Sequence, residues 1–343
     1  MNGMILGVAI MLVAGVLNGS FASPTKYTTK WKWENIWAVW AVVALFITIW
    51  PTAILTVPDL FSLYGLAGTG PLLLVVAFGL GNGVAQIFFG LGVAAIGLSL
   101  GFAIAIGIST ALGSLGPLVL QQPELVFTKK GLTILAGVAV ILVGIALCAV
   151  AGKAKDKAMS AGAAAGGEAP AKPILKGLML SVIAGVLSPT VNFAVAFGGP
   201  LLKQAAAHGA SQAFQANVIW PPFLTATLIP YISYCALLWK KNGSFRFFSL
   251  EGTSHYYGLG AIMGLLWTSS LVMYGAVTTY MGTLGPVLGW PLFMSVIIIT
   301  SNVWGFATGE WKQAGAKPVK IMLSGIGFLI LGFVTLAYAS SLS

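Results

Sequence analysis

Long apolar runs, broken by short polar connections, are the dominant pattern of this chain. Ten of them are resolved, at about 4–22, 36–57, 71–94, 98–120, 131–151, 175–197, 217–239, 257–279, 284–307 and 320–341. A helix rises about 1.5 Å per residue, so each run crosses a hydrocarbon layer of about 30 Å. The pattern predicts an all-α integral membrane protein with ten transmembrane helices. The third and fourth runs are the hardest to separate, with only Ile96, Gly97 and Leu98 between them, and a break is expected there. The first lysine is Lys26, beyond the first run, so that run reads as a retained helix rather than a cleaved leader.

The polar connections carry an orientation. Fourteen of the seventeen Lys and Arg fall after the first, third, fifth, seventh and ninth runs. Cytoplasmic loops collect positive charge, so both termini are expected outside the cell. The segment 152–173 is Gly/Ala/Lys-rich and reads as a flexible cytoplasmic linker. It separates a first five-helix repeat, 1–151, from a second, 174–343.

The two halves share ordered features. Ala14-Gly15-Val16-Leu17 recurs as Ala184-Gly185-Val186-Leu187, Gly90/Gly97 as Gly275/Gly282, Glu124 as Glu310, and Gly137/Gly144 as Gly325/Gly332. An odd number of helices per half turns the second copy upside down. Two inverted five-helix repeats are a recurring transporter architecture, with a solute site at the midplane between the halves.

Composition narrows the function. Only 7% of residues are charged, 58% are apolar, and mean hydropathy is +0.96. The net charge of +10 lies in membrane-flanking loops, not in a basic domain, so no nucleic-acid partner is expected. Two histidines and no paired acids leave little for a membrane-embedded enzyme or a metal site, and no cofactor is expected. No phosphate-binding loop for ATP is present. Cys148 and Cys235 sit inside apolar runs and read as buried thiols. What remains is a secondary transporter of a small polar solute, in the lipid bilayer, with no obligatory protein partner evident.

Three stretches carry a family resemblance: Pro24-Thr25-Lys26 followed by Lys30-Trp31-Lys32-Trp33-Glu34; Gly97-Leu98-Ser99-Leu100-Gly101 with Ala105-Ile106-Gly107-Ile108; and Glu310-Trp311, Ala314-Gly315, Pro318-Val319. Together, and in this order, they resemble the L-rhamnose–proton symporter family of the drug/metabolite transporter superfamily. The resemblance implies ten helices, inverted repeats, an inner-membrane location, and import of L-rhamnose or a related deoxyhexose with protons as the coupling ion. Trp267, Tyr274, Trp290 and Ser295 also match the family pattern. The chain departs from it at Gly285-Pro286-Val287, where the family has a Tyr-Asp-Tyr-like stretch, and at Ser270, where it has Gln. A uniporter or exporter of another small polar metabolite is the alternative on the same fold.

Sugar recognition needs hydrogen-bonding side chains and flat aromatic faces, and polar groups at membrane depth are costly unless they serve such a purpose. The candidates are Asn18, Asn82 and Gln86 (one helical turn apart), Asn192 beside Pro189, Trp220, then Trp267, Ser270 and Tyr274 on one helix, and Trp290. Trp31, Trp33, Trp239 and Trp311 are expected as anchors at the membrane interface. For proton coupling or gating the candidates are Glu34 and Lys26, because no carboxylate lies at mid-membrane depth. Glycines spaced by four, Gly79/Gly83 and Gly260/Gly264, and the stripe Gly3, Gly7, Gly15, Gly19, predict faces where helices approach closely.

Overall fold

The computed structural model describes residues 2–162, 174–312 and 314–342. Among them there are helices and no strands, and ten helices are long and apolar enough to cross a membrane. These spans are Ile5–Tyr27, Trp33–Thr56, Thr69–Ile96, Ser99–Gln121, Lys129–Ala158, Leu175–Phe197, Trp220–Asn242, His255–Tyr280, Gly282–Ala307 and Ala316–Ser341. They match the ten apolar runs, with ends shifted by a few residues. Large apolar side chains such as Leu55, Leu120 and Leu237 point outward, as expected where the surrounding solvent is hydrocarbon.

The third and fourth spans part at Gly97, whose φ of 89° is open to glycine and strained for other residues. Pro51 has no N–H to give the carbonyl of Ile47. Just before it the second span widens into a π-turn at Val43–Ile47, where the Thr48 N–H reaches the Val43 carbonyl at 2.9 Å. The sixth span is two helices, Ile174–Leu187 and Thr190–Phe197, parted at Ser188-Pro189. Between spans lie two short helices that periodicity did not announce, Leu60–Leu66 and Gly199–Ala207.

Part of the expected linker is helical. The fifth helix runs on from Ala151 to Gly162, because residues 153–158 are alanine, lysine and aspartate, most of them good helix formers. The extension is also tied down: Ser99 donates to Asp156 at 3.1 Å, and Lys155 pairs with Glu310 at 3.7 Å. Residues 163–173 of that linker lie outside the described residues.

The chain forms two compact units, each drawn from two separate stretches of the sequence. One holds 1–84 and 190–286, the other 85–189 and 287–343. In the first, glycines let helices touch. A Cβ on Gly79 would stand 2.2 Å from the Phe223 carbonyl oxygen, and one on Gly83 2.4 Å from that of Thr227. Gly260 and Gly264 pack in the same way on Val39 and Val43, and Gly7 packs on Met281. In the second unit the fifth and tenth spans cross through two glycine pairs. A Cβ on Gly144 would meet the Gly325 carbonyl oxygen at 3.0 Å, and one on Gly325 would meet that of Gly144 at 3.1 Å. One on Gly332 would meet the Gly137 carbonyl oxygen at 3.0 Å.

Candidate functional site

Most of the candidate polar residues fall in the first unit, where they form two linked pairs. On the first span, Asn18 Nδ2 donates to Ser270 Oγ at 2.8 Å, and Ser270 Oγ donates to the Trp267 carbonyl at 2.6 Å. On the sixth span, Asn192 is fully buried and donates from Nδ2 to the Pro286 carbonyl at 3.0 Å, while its Oδ1 accepts from Tyr274 Oη. Ser270 and Tyr274 lie one turn apart on the eighth span, so one helix carries a partner for each amide.

An aromatic ladder runs beside the Asn18 pair. Trp33, Trp37 and Trp40 repeat at helical spacing on the second span. Trp33 stacks on Trp37 at 5.8 Å, and Trp37 meets Trp40 edge-on at 5.3 Å. Trp40 in turn meets Trp267 edge-on at 5.4 Å and Tyr231 at 5.7 Å. Phe21, less than one turn beyond Asn18, closes on both Trp37 and Trp40. Trp40 is buried, yet its Nε1–H has no hydrogen-bond partner among the described residues. A buried indole donor usually finds one, so an oxygen acceptor would be favourable at this atom, as at the similarly unpartnered indole nitrogens of Trp220 and Trp239. The sequence reading missed Trp40, Trp37 and Tyr231, although the spacing of 33, 37 and 40 was a visible signal.

The other candidates are placed differently. Asn82 is buried on the third span in the first unit, while Gln86, one turn on, is half-buried in the second. Trp220 is fully enclosed, with its indole nitrogen 3.2 Å from where a Cβ on Gly275 would stand. Trp290, in the second unit, is buried over Gly113 and donates its indole N–H to the Ser109 carbonyl at 2.9 Å.

At the loop end of the first unit the motif Lys30-Trp31-Lys32-Trp33-Glu34 serves as an anchor. Trp31 was expected at the membrane interface. It is instead buried among Phe248, Tyr256 and Tyr257, with ring centroids 5.0–5.4 Å away, and donates to Thr253 Oγ1 at 3.2 Å. Trp311 is likewise buried, stacked on Phe306. Glu34 is buried and accepts from Asn242 Nδ2 at 2.8 Å and from Ser244 Oγ. Beside it Asn35 donates to the Ser244 carbonyl at 3.0 Å. Lys26 is exposed on the turn Ser23–Tyr27.

A sequence profile described as L-rhamnose-proton symport protein matches residues 1–340. Curated relatives described as L-rhamnose-proton symporter come from Yersinia pestis (strain Pestoides F) and Yersinia pseudotuberculosis (strain PB1/+). Each is 31% identical over 337 residues, which cover 96% of this chain and 96% of the relative.

Proposed function

The chain belongs to the L-rhamnose-proton symport protein family, and from that premise we propose that it imports L-rhamnose or a closely similar deoxyhexose together with protons. It is a multi-pass membrane protein and not an enzyme, and the proton, as coupling ion, takes the place of any cofactor. The family match spanning residues 1–340 carries this reading. The first unit supports it with chemistry suited to a sugar. Asn18 and Asn192 offer amides, the half-buried ring of Trp267 offers a flat face for C–H bonds, and the unpaired Trp40 N–H awaits a hydroxyl oxygen. Asn82, Gln86, Trp220, Ser270, Tyr274 and Trp290 complete the proposed set.

Glu34 is proposed as the coupling or gating acid, with Lys26 as the cation of the same loop. Protonating Glu34 would remove the charge that strengthens its bonds from Asn242 and Ser244. That would loosen the end of the second span from the connection between the seventh and eighth, a motion suited to opening. The location proposed is the inner membrane, with the lysine-rich loops in the cytoplasm and both termini outside.

The inverted repeat is proposed from sequence order, and two glycine contacts support it. Gly137/Gly144 correspond to Gly325/Gly332. Gly137 meets Gly332 and Gly144 meets Gly325, the reciprocal pattern of a two-fold relation.

The test is uptake of radiolabelled L-rhamnose into proteoliposomes with and without an inward proton gradient. Accumulation that a protonophore abolishes is expected. Equilibration indifferent to the gradient would make the protein a uniporter, and no uptake would reopen the solute.

A further inference from the structure

The second unit contains a cavity of about 220 Å³ that the transport reading does not use. It lies near the ends of four spans: Ser99 opens the fourth, Gly152 and Lys155 lie in the last turns of the fifth, Gly305 is in the last turn of the ninth with Glu310 just beyond it, and Met322 is in the second turn of the tenth. Its walls change character along their depth. Phe102, Ile145, Cys148, Ile298 and Met322 come from within the apolar spans, while Lys155, Asp156 and Glu310 stand beyond them or at their very end. The cavity is therefore greasy toward the membrane interior and charged at the level of lipid headgroups.

The charges at the mouth have a particular order. Lys155 reaches Glu310 at 3.7 Å and sits over the Trp311 ring at 4.9 Å. Asp156 is held by Ser99 at 3.1 Å. Two carboxylates and one ammonium disfavour a purely anionic ligand. A sugar is also a poor match, because most of the wall is hydrocarbon and the polar groups at the mouth are mainly charged. A zwitterion with a phosphate and a primary ammonium suits both signs: phosphate on Lys155, ammonium between Asp156 and Glu310, each a charge-assisted bond. With an acyl chain on the apolar floor, the ligand is an aminophospholipid.

We propose that this cavity is a binding site for phosphatidylethanolamine, seated from the leaflet that faces the lysine-rich loops. Trading the Lys155–Glu310 pair for two pairs with the lipid leaves the net charge of the site unchanged, so occupancy releases the end of the fifth helix from the connection between the ninth and tenth. The site is separate from the sugar candidates and stands whether or not rhamnose is the solute.

The experiment follows thermal unfolding of the full chain in detergent while short-chain phosphatidylethanolamine, phosphatidylcholine, phosphatidylglycerol or glycerophosphoethanolamine is titrated in. Phosphatidylethanolamine is expected to raise Tm saturably, with an apparent affinity roughly tenfold tighter than phosphatidylcholine, whose trimethylammonium cannot donate. Asp156→Asn with Glu310→Gln should erase that preference. Equal shifts for the ethanolamine and choline lipids, a preference for phosphatidylglycerol, or a preference that survives the double substitution would each overturn the proposal. A shift from glycerophosphoethanolamine as large as that from the intact lipid would overturn it in favour of a soluble ligand. The comparison of lipids on the unsubstituted chain decides the matter even if the double variant fails to fold.

Discussion

Tyr274 and Asn192 provide a sharp test of how the buried polar pairs work. Both are fully buried, and Tyr274 Oη donates to Asn192 Oδ1 while Asn192 Nδ2 holds the Pro286 carbonyl. Tyr274→Phe removes the donor to a buried amide oxygen, at a cost of about 1–3 kcal/mol. Asn192→Ala removes this bond and the one to the Pro286 carbonyl, and should cost at least as much. Because the two changes break the same bond, the double variant should lose less than the sum of the singles. Hydrogen bonds between membrane helices average about 0.6 kcal/mol and reach about 1.7 kcal/mol, and this pair, fully buried on both sides, belongs near the top. The predicted coupling is therefore about 1–1.5 kcal/mol. Reversible unfolding in mixed micelles would measure it. A coupling below about 0.3 kcal/mol, indistinguishable from additivity, would refute the reasoning.

Four further outcomes are expected. Gly83→Ala places a methyl against the Thr227 backbone and should cost about 1–3 kcal/mol, whereas Gly90→Ala, with open space around it, should be neutral or better; equal effects in a thermal-shift series would contradict the packing. Trp40→Phe keeps an aromatic ring but removes the unpaired N–H, and should raise the KM for sugar uptake about tenfold; an unchanged KM would remove Trp40 from the site. Glu34→Gln should abolish accumulation against a gradient and flatten the pH dependence of uptake while leaving downhill entry; uptake that keeps its pH dependence would clear Glu34 of coupling. Ser341→Cys should react with an impermeant maleimide from outside intact cells, with little background from the buried Cys148 and Cys235; protection would reverse the orientation.

The number of spans was legible because length and hydropathy are one-dimensional properties, and the parting at Gly97 because glycine alone tolerates that backbone. The glycine faces at Gly79/Gly83 and Gly260/Gly264 were legible for the same reason: a missing side chain marks where something else must fit. Pairings across the chain were not. Asn18 finds Ser270 at a separation of 252 residues, and no local pattern encodes that choice. Trp31 and Trp311 read as surface anchors because tryptophan near a helix end usually is one. Here a second aromatic cluster, Phe248 with Tyr256 and Tyr257, and a stacked Phe306 enclose them. The helical continuation past Ala151 was hidden because its composition suits a linker as well as a helix, and the ties to Ser99 and Glu310 decide between them.

Under the inverted repeat proposed above, the crossed glycines of the fifth and tenth spans bear on ancestry. A surface on which each glycine meets the counterpart of the other is complementary to itself. A five-helix precursor carrying Gly137 and Gly144 alone could have met a second copy of itself through this face, with both notches filled on both sides. In such a dimer any substitution at either glycine strikes twice. Joining two copies into one chain ends that penalty: each of the four positions is then free to change once, against a partner that stays put.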